Sequence, residues 1–354
     1  MRKERVIDYE KSLDLKNKIY LDARTKEEYK EATIPGAFNI ELLNQEERKI
    51  IGTIYKQQSP KKARLKGVEL VAPKLPKLIA KINDLNKQYD NIIIFCSRGG
   101  LRSESLAEFS RLAGIEVYRI DGGYKNYRHY ILNKLENYRF QGEIILLHGN
   151  TGVGKTYILK EIKNLGGSII DLEAIANHRG SAFGSIGLKE AYNQKYFESL
   201  LWNELEKKDK KNAKIFVEAE SKRIGNSVIP NFFHKKMKKS DDILIEASMA
   251  KRVNNIYLEY IKDIKKDKNQ FIKRVIESIE AIEKYIVQKA GKDCYQKLIN
   301  LAETGEFKKL TEIILREYYD PLYAHSQNKI DNYKAVIKAE NIKKAAAKIL
   351  QLYN

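Results

Sequence analysis

Short apolar runs alternate with amphipathic stretches along most of this chain. Positions 18–24 read as a strand ending in a charged turn. A short helix begins at 26, and 34–37 form a turn that feeds a strand at 38–40. Residues 74–89 carry a helical pattern. The wholly apolar run at 91–95 predicts a buried strand, and an amphipathic helix follows over 101–113 until Gly114 stops it. A further strand is predicted at 116–120, closed by Asp121-Gly122-Gly123. Alternation of this kind predicts a parallel α/β sheet.

The pattern then restarts. Residues 124–140 are tyrosine-rich and mostly helical, and read as a connection between domains. A new apolar strand at 143–148 opens a second α/β unit, whose helix follows from Lys155. More strands are expected at 168–170, 214–217 and 242–245. From about residue 250 the pattern is helical, over 253–266, 269–289, 292–303, 308–318 and 340–352. Two domains result, 1–138 and 139–354, and the 354 residues suit that number.

Composition changes this picture little, and charge changes it more. The chain carries 66 basic and 47 acidic side chains, a net +19. The basic excess is divided almost evenly between the two halves, with clusters at Lys61-Lys62-Ala63-Arg64-Leu65-Lys66 and Lys235-Lys236-Met237-Lys238-Lys239. Solvated helix faces in a lysine-rich protein would account for it, and so would a polyanionic partner such as nucleic acid. Two cysteines, Cys96 and Cys294, exclude a disulfide framework and fit a reducing compartment. No apolar run approaches the roughly 20 residues of a membrane span. The expectation is a soluble, cytoplasmic protein with no membrane partner.

Two segments carry chemistry. The first, Cys96-Ser97-Arg98-Gly99-Gly100-Leu101-Arg102-Ser103, follows the strand at 91–95 and opens a helix. In an open α/β sheet that edge is where ligands bind. Gly99 and Gly100 let backbone N–H groups curl around an anion, while Arg98, Arg102 and the helix start favour a thiolate at Cys96. A lone cysteine ending a core strand would be a small apolar residue, but the glycines and arginines argue for a reactive one. The Cys-x5-Arg spacing also suits a cysteine phosphatase.

The second segment, Gly149-Asn150-Thr151-Gly152-Val153-Gly154-Lys155-Thr156, follows the strand at 143–148 and matches the phosphate-binding P-loop pattern GxxxxGK[ST]. Its glycines admit phosphate oxygens to the backbone, Lys155 reaches the terminal phosphates, and Thr156 is placed to ligate Mg²⁺. A carboxylate ending a neighbouring strand should organise such a metal. Glu218 is the first candidate, with Glu220, Asp171 and Glu246 behind it, although each would serve equally as a solvated cap. The stretch Asp171-Leu172-Glu173-Ala174-Ile175-Ala176-Asn177-His178-Arg179-Gly180-Ser181-Ala182-Phe183-Gly184 is a candidate substrate clamp, or else a glycine-rich connection.

The upstream residues Leu21-Asp22-Ala23-Arg24, Glu28-Tyr29 and Ile34-Pro35-Gly36-Ala37-Phe38-Asn39-Ile40 resemble the N-terminal signature of rhodanese domains. Ala32-Thr33 stand where Gly-His is usual. This resemblance covers residues 18–130 and implies the fold more firmly than the chemistry, since rhodanese folds also host phosphatases. In the rhodanese reading Cys96 carries a chalcogen. A rhodanese-like unit followed by a P-loop unit, together with Gly52-Thr53-Ile54-Tyr55-Lys56-Gln57, Glu220-Ser221-Lys222-Arg223-Ile224-Gly225 and Tyr318-Tyr319-Asp320-Pro321-Leu322-Tyr323, resembles bacterial tRNA 2-selenouridine synthases over nearly the full length.

That resemblance implies an N-terminal rhodanese-like parallel-sheet domain and a P-loop NTPase-like α/β domain with a helical C-terminal extension. It implies a transferase that acts on the wobble 2-thiouridine of tRNA. Geranyl diphosphate and selenophosphate would be its co-substrates, the latter supplied by a selenophosphate-producing enzyme. Cys96, Arg98 and Arg102 would be catalytic, and residues 149–156 would bind phosphate. Gly99, Gly100, His178, Arg179, Ser181 and Arg223 would contact substrate, and Thr156 and Glu218 would hold Mg²⁺ if it is needed. The rival readings are a small-molecule sulfurtransferase fused to an NTPase, a cysteine phosphatase, and a non-catalytic tRNA- or nucleotide-binding protein.

Overall fold

The computed structural model describes residues 5–179, 183, 191–327, 330 and 332–353. They fall into two compact units, Met1–Asn137 with Lys195–Trp202, and Tyr138–Gln194 with Asn203–Asn354.

The first unit holds β1 (Val6–Ile7), α1 (Tyr9–Ser12), β2 (Lys18–Asp22), α2 (Lys26–Glu31), β3 (Phe38–Asn39), α3 (Gln45–Gln57), α4 (Pro60–Val71), α5 (Leu75–Asn86), β4 (Asn91–Phe95), α6 (Leu101–Leu112), β5 (Val117–Ile120) and α7 (Gly123–Glu136). Its sheet runs β1-β5-β4-β2-β3, and every pairing is parallel. Leu21 sits opposite Ile94 and Asp22 opposite Phe95, so the ends of β2 and β4 lie side by side. Ile92, Ile93 and Ile94 are fully buried, as a strand covered on both faces requires. The helices α3 and α4 form where no element was expected. Asn44 and Glu47 make a capping box on α3, and Ser59 caps α4 with Pro60 in its first turn.

The second unit continues with β6 (Glu143–His148), α8 (Lys155–Asn164), β7 (Ser168–Ile170), α9 (Leu172–Ala176), α10 (Gln194–Lys208), β8 (Lys214–Glu218), β9 (Arg223–Ile224), β10 (Ser227–Val228), α11 (Asn231–Met237) and β11 (Asp241–Glu246). Residues 195–202 of α10 group with the first unit. The C-terminal part holds α12 (Met249–Lys266), α13 (Lys268–Glu280), α14 (Glu283–Ala290), α15 (Lys292–Thr304), α16 (Phe307–Ile314), α17 (Asp320–Gln327), β12 (Ala335–Lys338) and α18 (Ile342–Gln351). The sheet order is β12-β11-β6-β8-β7, again all parallel.

The order places β6 centrally, with β8 and β11 on either side, so residues ending β8 stand beside the loop that follows β6. Two local expectations are corrected. The predicted helix 269–289 is two helices, interrupted between Glu280 and Glu283. The C-terminal part also returns one strand, β12, to the sheet edge, where only Ile337 of its four residues is buried. So little one-sided burial gives a short edge strand no clear period.

Candidate functional site

In the first unit Cys96 leaves the end of β4 and α6 starts five residues later. The thiol is buried, 3% exposed. The Ser103 hydroxyl donates to Sγ at 3.2 Å, and Sγ lies 3.6 Å from the Gly100 carbonyl. Backbone N–H groups of Tyr124 and Lys125 donate to the Cys96 and Ser97 carbonyls at 2.8 and 3.0 Å. Gly123 makes this approach possible. Its φ is +58°, and a Cβ there would stand 2.2 Å from the Cys96 carbonyl oxygen.

Arg98 is exposed at the loop's tip. Arg102 donates to Glu28 at 2.6 and 3.3 Å and to Ser97 Oγ at 2.8 Å. Burial pushes the Glu28 carboxyl up. The hydrogen bond and charge of Arg102, with help from Ser97 and the Thr25 N–H, outweigh it and hold the group at about 2. Arg102 therefore braces the loop onto α2. Beneath it, buried Asp22 accepts from Arg24 and from Thr33 Oγ1 at 2.8 Å, so the departure at Thr33 supplies a hydroxyl to that ion pair.

In the second unit residues 149–154 link β6 to α8. Gly149 has φ +142°, and a Cβ would meet the Ile245 carbonyl oxygen at 2.4 Å. The loop is held from outside by residues with no signature in its own sequence. Arg252 Nε donates to the Thr151 carbonyl at 2.9 Å, Asn255 Nδ2 to the Gly152 carbonyl at 2.9 Å, and Asn150 Nδ2 to Asp320 at 3.1 Å. Arg252 also grips Asp320 through both terminal nitrogens, at 2.9 and 2.6 Å. Asp320 belongs to a motif quoted above; Arg252 and Asn255 gave no signal, because their partners lie far away in sequence.

Lys155 reaches back to the Gly149 carbonyl at 2.9 Å. Burial alone would lower its pKa, but Tyr323, Glu218, Glu220 and Glu173 hold it above the ordinary value. The carboxylate oxygens of Glu173, Glu218 and Glu220 lie within 4.8 Å of one another. Burial pushes all three carboxyls up, and the Glu218 charge adds to this at Glu173 and Glu220, while Lys155 acts the other way. Thr156 hydrogen-bonds the Glu218 carboxylate. Glu218 Oε1 and Thr151 Oγ1 are buried and meet no partner among the described residues. Asp171 instead caps α9, accepting from the Ala174 N–H at 2.9 Å, and Glu246 is exposed.

The other predicted site residues divide. Arg179 joins this cluster at the wall of a cavity of about 150 Å³ that opens beside Lys155 and Thr156. It pairs with Glu259 at 2.6 Å and lies over the Tyr260 ring. His178 packs its ring on Gly225, and burial lowers its pKa. Arg223 is exposed on β9. Ser181 lies outside the described residues.

A family model of the tRNA 2-selenouridine synthase AAA domain matches residues 142–352, and a rhodanese-like domain model matches residues 7–130. A tRNA 2-selenouridine synthase of Pseudomonas fluorescens (strain Pf-5) is 32% identical over 339 residues, covering 90% of this chain and 90% of that one. The chain belongs to the tRNA 2-selenouridine synthase family. The synthase of Nitrosomonas europaea is 30% identical, covering 86% of this chain and 88% of its own, and that of Bdellovibrio bacteriovorus is 31% identical, covering 90% and 91%. Within this synthase family match, the rhodanese-like part holds Cys96 and Glu28. The AAA-domain part holds the P-loop, the three glutamates and the bracing trio Arg252, Asn255 and Asp320. Among the described residues no helix is long and apolar enough to cross a membrane.

Proposed function

We propose that this chain converts the wobble 2-thiouridine of tRNA to 2-selenouridine in the cytoplasm, using geranyl diphosphate and then selenophosphate. The observation that carries this is the pairing, in one synthase-family chain, of a cysteine loop at the end of β4 with a P-loop at the end of β6. The division of labour follows from the chemistry. The thiocarbonyl sulfur attacks carbon 1 of the geranyl group, the carbon–oxygen bond breaks, and diphosphate leaves with the electron pair. Lys155 and the amides of residues 149–156 bind that diphosphate and offset its growing charge. The alkylated sulfur is now a leaving group. The selenium of selenophosphate then uses an electron pair to bond carbon 2 of the base, and geranyl thiolate departs; water takes the phosphoryl group from selenium, breaking the selenium–phosphorus bond and releasing phosphate.

Cys96 is assigned to handling selenium, with Arg98, Gly99 and Gly100 meeting its anionic donor and Arg102 positioning the loop through Glu28. Arg179 is assigned to the donor at the P-loop, and His178, Ser181 and Arg223 to substrate contact. Oxygen donors only, one of them an unpartnered buried carboxylate oxygen, fit a hard divalent cation. Thr156, Glu218, Glu173 and Glu220 would hold Mg²⁺, which would neutralise charge on the diphosphate. A selenophosphate-producing enzyme would supply the selenium donor.

Nucleoside mass spectrometry on variant enzymes tests the division. Cys96→Ser should stop selenation while S-geranyl-2-thiouridine still forms, and Lys155→Ala should slow geranylation at least tenfold. Equal loss of both steps in Cys96→Ser contradicts it.

A further inference from the structure

The cavity beside the P-loop changes character along its wall. Near Gly152, Lys155 and Thr156 it is polar and charged, with Lys155 and Arg179 beside Glu173, Glu218, Glu220 and Glu259; elsewhere it is lined by Phe271, Val275, Phe307, Leu310 and Ile314. These five lie on α13 and α16 and belong to the buried core of the helical part. Phe271 and Phe307 meet edge to face, with centroids 5.1 Å apart. No periodicity could disclose this seat, because its two sides come from the P-loop and from helices more than a hundred residues later.

We propose that this cavity seats the carbon chain of a prenyl diphosphate, its diphosphate on the P-loop and its tail against α13 and α16. The proposal rests on the assignment of the P-loop to geranyl diphosphate and adds where the tail lies and what limits its length. One enclosure offers a cation at one part and hydrocarbon at another, which suits a ligand that is anionic at one end and apolar at the other. A nucleoside fits poorly. Edges of its base or ribose laid against Phe271, Val275, Phe307 and Leu310 would be buried unpaired, even though Asn255, Tyr257, Tyr260, Thr311 and Tyr319 also line the cavity. The cavity, about 150 Å³ in all, has room for the first carbons of such a chain. The Phe271–Phe307 pair then acts as a stop for longer chains.

Calorimetry on the full chain tests this with inorganic diphosphate, geranyl diphosphate, the fifteen-carbon farnesyl diphosphate and ATP. Geranyl diphosphate should bind at least about tenfold more tightly than inorganic diphosphate, since each buried methylene contributes about fourfold. Val275→Phe fills the cavity and should erase that advantage. Affinity for inorganic diphosphate should stay within about twofold, which also shows that the P-loop is still folded. Val275→Ala enlarges the cavity and should raise farnesyl relative to geranyl diphosphate, a gain that misfolding cannot produce. Tight geranyl diphosphate binding that ignores both substitutions places the tail elsewhere; it overturns this proposal and leaves the P-loop assignment standing. Tight ATP binding with no advantage for geranyl over inorganic diphosphate removes the P-loop assignment and this proposal with it.

Discussion

Glu28 shows how a residue can be visible in the sequence while its work is not. It stands in the rhodanese-like signature, and Arg102 stands in the cysteine loop, but nothing along the chain joins positions 74 apart. In the structure each side chain is 17% exposed and they form a charge-assisted pair. Glu28→Gln keeps the shape and removes the charge, so the first unit should lose roughly 2 kcal/mol at neutral pH. The sign of the pH dependence follows from the lowered pKa. The ionised form stabilises fully above the ordinary carboxylate value of 4.5, and that contribution fades as pH falls toward about 2. Denaturant unfolding of wild type and variant should therefore show a gap that is constant near neutrality and narrows below 4.5. A gap that widens in acid would contradict the pairing. The glycines and Lys155 were legible because backbone approach and phosphate charge demand those residue types. Arg252 and Asn255 were not, because any donor on α12 could have served.

Elements were legible where one face or both are buried continuously. The apolar runs at β4, β6, β8 and β11 predicted strands, and the cysteine loop and P-loop were placed at strand ends for that reason. The pair α3 and α4 was missed because neither buries a continuous face; α3 has no fully buried residue. Loop geometry between elements is set by contacts the pattern does not carry. The start of α7 is an example, since its N-terminal amides close on the cysteine loop only if residue 123 lacks a side chain. Gly123→Ala should destabilise the first unit by at least roughly 2 kcal/mol, from the left-handed backbone and the clash with the Cys96 carbonyl. Thermal unfolding with the melting temperature of the first unit unchanged would contradict that account.

At the scale of the whole molecule the net +19 takes its meaning from the proposed substrate. A tRNA brings a dense array of phosphates, and their neutralisation releases counterions. Binding should therefore weaken steeply and linearly in log–log terms as salt rises. A flat response in a filter or fluorescence titration would leave the charge as solvation alone. The architecture of two parallel sheets was legible, since strand–helix alternation restarts at β6. The inner wall of the helical part was not, since a cavity is a property of packing between distant helices.

The most direct measurement is nucleoside mass spectrometry of 2-thiouridine tRNA incubated with the full chain, geranyl diphosphate and selenophosphate. The expected result is 2-selenouridine, with S-geranyl-2-thiouridine accumulating when selenophosphate is withheld. Unmodified 2-thiouridine under every condition, or 2-selenouridine formed equally well without geranyl diphosphate, would contradict the proposed two-step reaction.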